Sequence, residues 1–260
     1  MKDLKALLLA AGVGSRLKPL TDIWPKCLMP IRDRPLLEYW LIKLQKLGIS
    51  DVLVNTHYLS EHVEDFLDQP RFKGWVSSVY EESLLGTAAT VRENSNFCKD
   101  STTIIAHADN WTCCDFTNFL YYHNNKRPKG TVMTMMTFTC LDPTSCGIVE
   151  LDSNGVVVGF HEKVKNPPGK LANAAVYLVE PEVVDWIVKN PEVTDFSTEV
   201  LPAFIGKIST WHNKYIHNDI GTIEMLQKSQ IDECKVMIPS KDNIWQKVFM
   251  SHPIHGMIYK

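Results

Sequence analysis

Arg16, Lys18 and Lys26 crowd three cations into one dozen residues of the stretch LLLAAGVGSRLKPLTDIWPKCLMPI, residues 7–31. They follow an apolar run that breaks at Gly12-Val13-Gly14. Small residues let backbone N–H groups approach phosphate oxygens closely. An arginine grips two such oxygens as a fork, whereas a lysine acts as a point charge. The pattern suits a polyphosphate; the plainer reading is a structural turn with surface lysines. Two common phosphate loops are excluded. The dinucleotide fingerprint wants a third glycine three positions beyond Gly14, where the chain has Leu17, and no Gly-Lys-Ser/Thr follows. Pro19, Pro25 and Pro30 keep the segment irregular until about residue 34. What remains is an extended loop with small residues at its base and cations along it.

Such a loop needs strands that end where a ligand can sit. Over the first 125 residues strand and helix signals alternate. Leu4–Leu9 is a continuous apolar run, as expected of a strand buried on both faces. Asp33-Arg34-Pro35 can start a helix whose apolar stripe is Leu36, Leu37, Trp40, Leu41, Leu44 and Leu47, ended by Gly48. Strands follow at Asp51–Asn55, Val76–Tyr80 and Thr102–Ala106, with helices at Ser60–Leu67, Gly86–Asn94 and Asp115–His123. This alternation predicts a parallel sheet with helices on both faces and ligands beyond the carboxyl ends of the strands.

After Gly130 the texture changes. Thr131–Phe138 alternates, and Gly147–Leu151 and Val156–Phe160 flank the hairpin signal Asn154-Gly155. A strand over Ala174–Val179, helices near Pro181–Lys189 and Ser197–Phe204, and a strand over Ile208–Tyr215 complete the pattern. Residues 231–260 are less regular and read as a terminal helix or an oligomerisation arm. The chain therefore divides into a domain over 1–230 and a tail over 231–260.

Bulk properties narrow the partners. The 260 residues are 45% hydrophobic and 22% charged, an ordinary globular composition. A formal net charge of -3 gives no broad basic field, which argues against nucleic acid. No apolar stretch approaches the roughly 20 residues that span a bilayer, so no membrane partner is expected. The start, Met1-Lys2-Asp3-Leu4-Lys5, imitates a signal peptide's charged end. The apolar run after it lasts only from Ala6 to Ala11, which reads as a first strand. Seven cysteines without a Cys-x-x-Cys pair read as reduced thiols of a cytoplasmic protein.

One opening signature and six later landmarks then fall in one order. Ala10-Ala11-Gly12-Val13-Gly14-Ser15-Arg16-Leu17, with Pro19, Thr21 and Pro25-Lys26-Cys27-Leu28-Met29-Pro30, resembles the signature of the sugar-1-phosphate nucleotidyltransferases. Leu85-Gly86-Thr87-Ala88-Ala89 resembles that family's Leu-Gly-Thr-Ala-Gly, and Ala108-Asp109 its Gly-Asp. Cys146-Gly147-Ile148-Val149 resembles Tyr-Gly-Val-Val, and Phe160-His161-Glu162-Lys163 resembles Phe-x-Glu-Lys. Asn173-Ala174-Ala175-Val176-Tyr177 resembles Asn-x-Gly-Ile-Tyr, and Asp219-Ile220-Gly221-Thr222 the closing Asp-Ile-Gly-Thr. The match covers roughly residues 5 to 228.

The resemblance implies a Rossmann-like α/β three-layer sandwich with a mixed, mostly parallel central sheet, similar to the glycosyltransferase-A fold. It implies displacement at the α-phosphorus of an NTP by a sugar 1-phosphate oxygen, releasing pyrophosphate. The nucleophile is already an anion, so positioning and electrostatics carry the rate. On this pattern Lys26 neutralises charge around the α-phosphate and Arg16 holds the β- and γ-phosphates. Asp109 and Asp219 would hold Mg²⁺, which keeps several waters and takes phosphate oxygens as its other ligands. Ala11, Gly12, Gly14 and Ser15 would face the triphosphate, and Gly86 and Thr87 the base or ribose. Lys163 would bind the sugar phosphate, Glu162 would accept sugar hydroxyls, and Gly147 and Asn173 would line the sugar side.

Three departures stand out: Ala108 for glycine, Cys146 for tyrosine and Ala175 for the second glycine of its pattern. The last two lie on the acceptor side. The hexapeptide repeats that many members of the family carry, with the acetyltransferase function they can bring, are not in this sequence. The expectation is a Mg²⁺-dependent cytoplasmic enzyme, most plausibly making GDP-mannose or a related nucleotide sugar for surface polysaccharide, with a homodimer as one expected partner arrangement. The alternatives are a cytidylyltransferase acting on a non-sugar phosphate such as phosphocholine, and a non-catalytic regulatory subunit.

Overall fold

The apolar run at the start of the chain does form a buried strand: Ala6, Leu7 and Leu8 are inaccessible to solvent within β1 (Asp3–Leu9). The structure, a computed structural model, describes residues 3–234 and 244–259. After β1 the proline-rich loop winds through three short 3₁₀ turns, Ser15–Leu17, Leu20–Asp22 and Lys26–Leu28. Two short strands, β2 (Pro30–Ile31) and β3 (Arg34–Pro35), pair before α1 (Leu36–Lys46). Then come β4 (Val52–Thr56), α2 (Ser60–Leu67), β5 (Val76–Tyr80), α3 (Thr87–Glu93) and α4 (Ser95–Cys98). β6 (Ser101–His107) and β7 (Asn110–Thr112) lead to α5 (Phe116–Asn125), whose first turn is capped by the Asp115 carboxylate accepting from the Asn118 N–H.

Antiparallel strands dominate next: β8 (Met133–Thr139), β9 (Gly147–Leu151), β10 (Val157–Glu162) and β11 (Leu171–Val179). α6 (Pro181–Lys189) starts on proline, which suits the first helical position because the missing N–H would have no intrahelical partner there. The helix expected near Ser197–Phe204 is present, its first part wound as a π-helix, Phe196–Val200, that runs into α7 (Leu201–Ala203). The single strand expected over Ile208–Tyr215 is corrected. β12 (Ile208–His212) stops early and a separate strand, β13 (His217–Asp219), follows. α8 (Ile223–Ile231), α9 (Ile244–Ser251) and α10 (Ile254–Met257) close the described chain. Part of the tail reading, over 235–243, lies outside the described residues.

The chain forms two compact units. One takes in β1 as far as Leu7, then Leu85–Ala106 and Cys114–Lys214. Its strands run in the order β10-β9-β11-β6-β1, with β8 beside β11 and β12 parallel to β8. β11 runs antiparallel to β6, β8 and β9, so the sheet is mixed. The other unit takes in Leu8–Leu84, His107–Cys113 and the chain from Tyr215 onward. Here β4 and β5 pair in parallel, and β13 pairs antiparallel with β7. No described helix is long and apolar enough to cross a membrane.

Candidate active site

In the unit that holds the cationic loop, four expected residues meet. Gly14, in the left-handed region at φ 66°, turns the chain into the first 3₁₀ turn. A Cβ there would sit 2.9 Å from Thr21 and 3.2 Å from the Lys26 stem, so the bare backbone lets the loop fold back on itself. The Thr21 hydroxyl locks that fold by donating to the Gly14 carbonyl at 3.0 Å. Trp24 donates its indole N–H to the Leu28 carbonyl at 2.8 Å and braces the turn that presents Lys26. Lys26 is 7% exposed, although its residue type belongs at the surface.

Its ammonium lies 2.6 Å from Asp109 Oδ2 and 2.7 Å from Asp219 Oδ1. Asp109 lies two residues past the end of the buried strand β6, and Asp219 ends β13. The β7–β13 ladder fixes the second carboxylate in register, with Asp219 opposite Asn110. Thr222 caps α8 by accepting from the Met225 N–H, which leaves Asp219 available to the cluster. Arg16 reaches the other Asp219 oxygen at 3.2 Å while its own side chain stays exposed. Gly221 lies against that pair: a Cβ there would come within 2.7 Å of both Arg16 Nη2 and Asp219 Oδ2. Lys18 instead pairs with Asp22 on the surface at 3.1 Å, in keeping with its reading as solvated charge.

The electrostatics follow from these contacts. Burial pushes the Lys26 pKa down, but the Asp109 and Asp219 carboxylates outweigh it and the net shift is upward. Burial likewise pushes the Asp109 carboxyl up, and Lys26 and His107 overcome it, so Asp109 lies below its ordinary 3.8. The neighbouring Cys27 is buried and its thiol is pushed up to about 12, which removes it as a nucleophile. Two carboxylates converging on one small cation make a site a divalent ion could share. Among the described residues no group of three or more His, Cys, Asp or Glu stands ready to hold a metal. The two aspartates would therefore be the protein's whole share, which fits Mg²⁺ with water and phosphate as remaining ligands.

Ala11 is buried at the base of the loop, while Gly12, Ser15 and Arg16 are exposed along it. Two positioning residues escaped the sequence reading. Asn55, at the carboxyl end of β4, accepts the Ala10 N–H at 2.7 Å and donates to the buried Glu81 carboxylate at 2.8 Å. Together they anchor the point where β1 opens into the loop. The only available signal was a polar residue at the end of each of two apolar strands.

The other unit gathers the residues expected on the acceptor side. Gly147 faces Glu162 across the β9–β10 ladder, and a Cβ there would strike Glu162 Oε2 at 2.5 Å and the Phe160 ring at 2.7 Å. Lys163 pairs with Glu162 at 3.1 Å and donates its backbone N–H to the Cys146 carbonyl. Asn173 donates to the Tyr177 hydroxyl at 2.7 Å and accepts the Ala175 N–H at 3.0 Å, within a bulge that holds Ala175 at φ 51°. Burial raises the Tyr177 pKa against the hydrogen bonds of Asn173 and Ser197, and the Glu162 and Asp195 carboxylates add to it, so the phenol stays protonated. Gly86 precedes α3, and Thr87 accepts the Phe196 N–H at 2.7 Å and donates to Asp195 at 3.4 Å.

Across residues 5–235 the chain matches the nucleotidyl transferase family. It belongs to that family. A UTP–glucose-1-phosphate uridylyltransferase from Synechocystis is 30% identical over 218 residues, 78% of this chain and 55% of that protein. A mannose-1-phosphate guanylyltransferase from Mycobacterium tuberculosis is 29% identical over 240 residues, 90% of this chain and 66% of that protein. The chain thus spans between half and two thirds of the length of these relatives. A Bacillus anthracis crystal structure in complex with a sucrose shares the fold, with a TM-score of 0.79 at 21% identity over 91% of this chain and 98% of that one.

The expectation of reduced cysteines is corrected in part. Cys113 and Cys234 form a disulfide, whereas Cys27, Cys98, Cys114, Cys140 and Cys146 are thiols outside any disulfide. Spacing offered no warning, because 121 residues separate the pair.

Proposed function

We propose that this nucleotidyl transferase family member moves a nucleoside monophosphate from an NTP to a sugar 1-phosphate and releases pyrophosphate. The observation that carries the reading is the buried Lys26 ammonium held by Asp109 and Asp219, with Arg16 on Asp219. A fixed cation beside carboxylates is what in-line displacement between charged phosphates requires. In this account Lys26 turns from the aspartates toward the α-phosphate as an NTP enters. Arg16, exposed and already directed across the loop, takes the β- and γ-phosphates that leave as pyrophosphate. Asp109 and Asp219 would hold Mg²⁺, which supplies charge neutralisation on phosphate oxygens when bound. Ala11, Gly12, Gly14 and Ser15 provide close backbone approach for the triphosphate, and Gly86 and Thr87 for the nucleoside. Lys163 binds the acceptor phosphate, and Glu162, Gly147 and Asn173 orient the sugar.

The names of the relatives support a sugar 1-phosphate as acceptor and a nucleotide sugar as product, and surface polysaccharide synthesis is the use we propose for it. The five thiols outside any disulfide and the demand for NTP support a cytoplasmic setting. Exposed Ile244 and Val248 on α9 support residues 231–260 as an appendage to the catalytic domain over 1–230, serving as a homodimer arm. The test is pyrophosphate release with four NTPs against glucose, mannose and N-acetylglucosamine 1-phosphates and phosphocholine, with Mg²⁺. One NTP with one sugar 1-phosphate should dominate. Release with phosphocholine alone would move the acceptor outside the sugars, and no release from any pair would overturn the reading.

A further inference from the structure

The Cys113–Cys234 disulfide lies beside the two-strand ladder that carries Asp219. Cys113 directly follows β7, and its N–H donates to the Ile216 carbonyl at 2.8 Å, immediately before β13. β13 is three residues long and carries Asp219 at its end, opposite Asn110, which follows Asp109. On the other side Cys234 lies just past α8, in a segment whose Asp232 accepts from Asn218 of β13 at 3.0 Å. The disulfide therefore ties the end of β7 remote from Asp109 to the segment that accepts from Asn218, the middle residue of β13. The Cα atoms are 5.7 Å apart, inside the usual disulfide range. Both residues are half-buried, so a small thiol can reach them, whereas Cys27, Cys98, Cys114 and Cys140 are buried.

We propose that Cys113–Cys234 is a reducible clasp that makes the divalent-cation affinity of Asp109 and Asp219 sensitive to thiols. A low-molecular-weight thiolate attacks Cys234 Sγ, the bond between the two protein sulfurs breaks, and Cys113 leaves as a thiolate that takes up a proton. A second thiol then displaces Cys234 from the mixed disulfide. The net change is one protein disulfide reduced to two thiols and two small thiols oxidised to their disulfide. With the clasp open, the short ladder loses its covalent brace, and the spacing of the two carboxylates loosens. The inference rests on the cation reading of this cluster given above.

The experiment titrates the protein, disulfide intact by peptide mass, with Mn²⁺ by calorimetry before and after dithiothreitol, while hydrogen exchange is followed at β7 and β13. Reduction should speed exchange in both strands and weaken Mn²⁺ binding about three- to tenfold, the size of effect expected when a local element loosens. Cys113→Ser should behave as the reduced protein without reductant, and Cys140→Ser as the oxidised one. Exchange and affinity indifferent to dithiothreitol, or absence of the Cys113–Cys234 peptide from oxidised protein, would overturn the proposal. Exchange that rises while neither form binds Mn²⁺ would uphold the clasp and overturn the cation reading of the cluster.

Discussion

Replacing Lys26 by methionine keeps the buried stem and removes only the ammonium between the two aspartates. At 2.6 and 2.7 Å each ion contact lies between about 1.6 kcal/mol in water and about 6 kcal/mol at an effective dielectric of 20. Burial of the ammonium offsets most of this, and Asp219 is half-exposed, so a net of about 2 kcal/mol for the pair of contacts is the reasonable scale. Without the ammonium, Asp109 and Asp219 repel each other, and a divalent ion relieves that repulsion with Lys26 no longer competing and only the exposed Arg16 left on Asp219. Mn²⁺ affinity of the free protein should therefore rise about 30-fold, the equivalent of about 2 kcal/mol. Nucleotidyl transfer should fall about 10²- to 10³-fold, the usual loss when one fixed charge-stabilising group is removed. Calorimetric Mn²⁺ titration and steady-state pyrophosphate release read the two effects separately, with circular dichroism to show that the variant folds. A folded variant whose Mn²⁺ affinity is unchanged or lower, or whose transfer rate stays within about threefold of wild type, would refute the reasoning.

Other perturbations reach neighbouring parts of the account. Gly221→Ala places a methyl group against Arg16 and Asp219, so KM for NTP should rise severalfold with kcat much less affected, read by steady-state kinetics. Asn55→Ala removes the acceptor of the Ala10 N–H and one donor to the buried Glu81 carboxylate, and should cost about 1–3 kcal/mol by urea unfolding. The Asp109 pKa is lowered, so its stabilising share is complete above its unfolded value of 3.8 and is lost as pH falls through the still lower folded value. The Lys26 pKa is raised, so its share is complete below 10.5 and is lost as pH rises through the higher folded value. The stability difference between wild type and Lys26→Met should thus be flat between about pH 5 and pH 9 and shrink outside that window. Glu162→Gln keeps the shape but weakens acceptance from hydroxyls, so KM for the acceptor should rise about tenfold while KM for NTP holds.

Long, strongly patterned elements were legible in the sequence. The boundaries of α2, β5, β9 and α6 coincide with those read from periodicity, because each is bounded by a polar, glycine or proline signal next to a clear apolar pattern. The two- and three-residue strands β2, β3, β7 and β13 were not legible, since no period fits in so short a run. That gap mattered, because β7 and β13 bring Asp219 to Asp109 across 110 residues of chain. Lys26, Asp109 and Asp219 could be named from a resemblance, but their convergence on a single amine depends on pairing that only the folded chain displays. The same holds for Asn55 and Glu81, whose residue types are commonplace until the strands set them side by side.

The most direct measurement follows the α-phosphorus itself. An NTP labelled at the α-phosphate is incubated with Mg²⁺ and the preferred sugar 1-phosphate, and the products are separated. The account predicts that the label enters a nucleoside diphosphate sugar while unlabelled pyrophosphate forms in equal amount. Label retained in nucleoside diphosphate with release of inorganic phosphate, or label left in unreacted NTP across all acceptors, would contradict it.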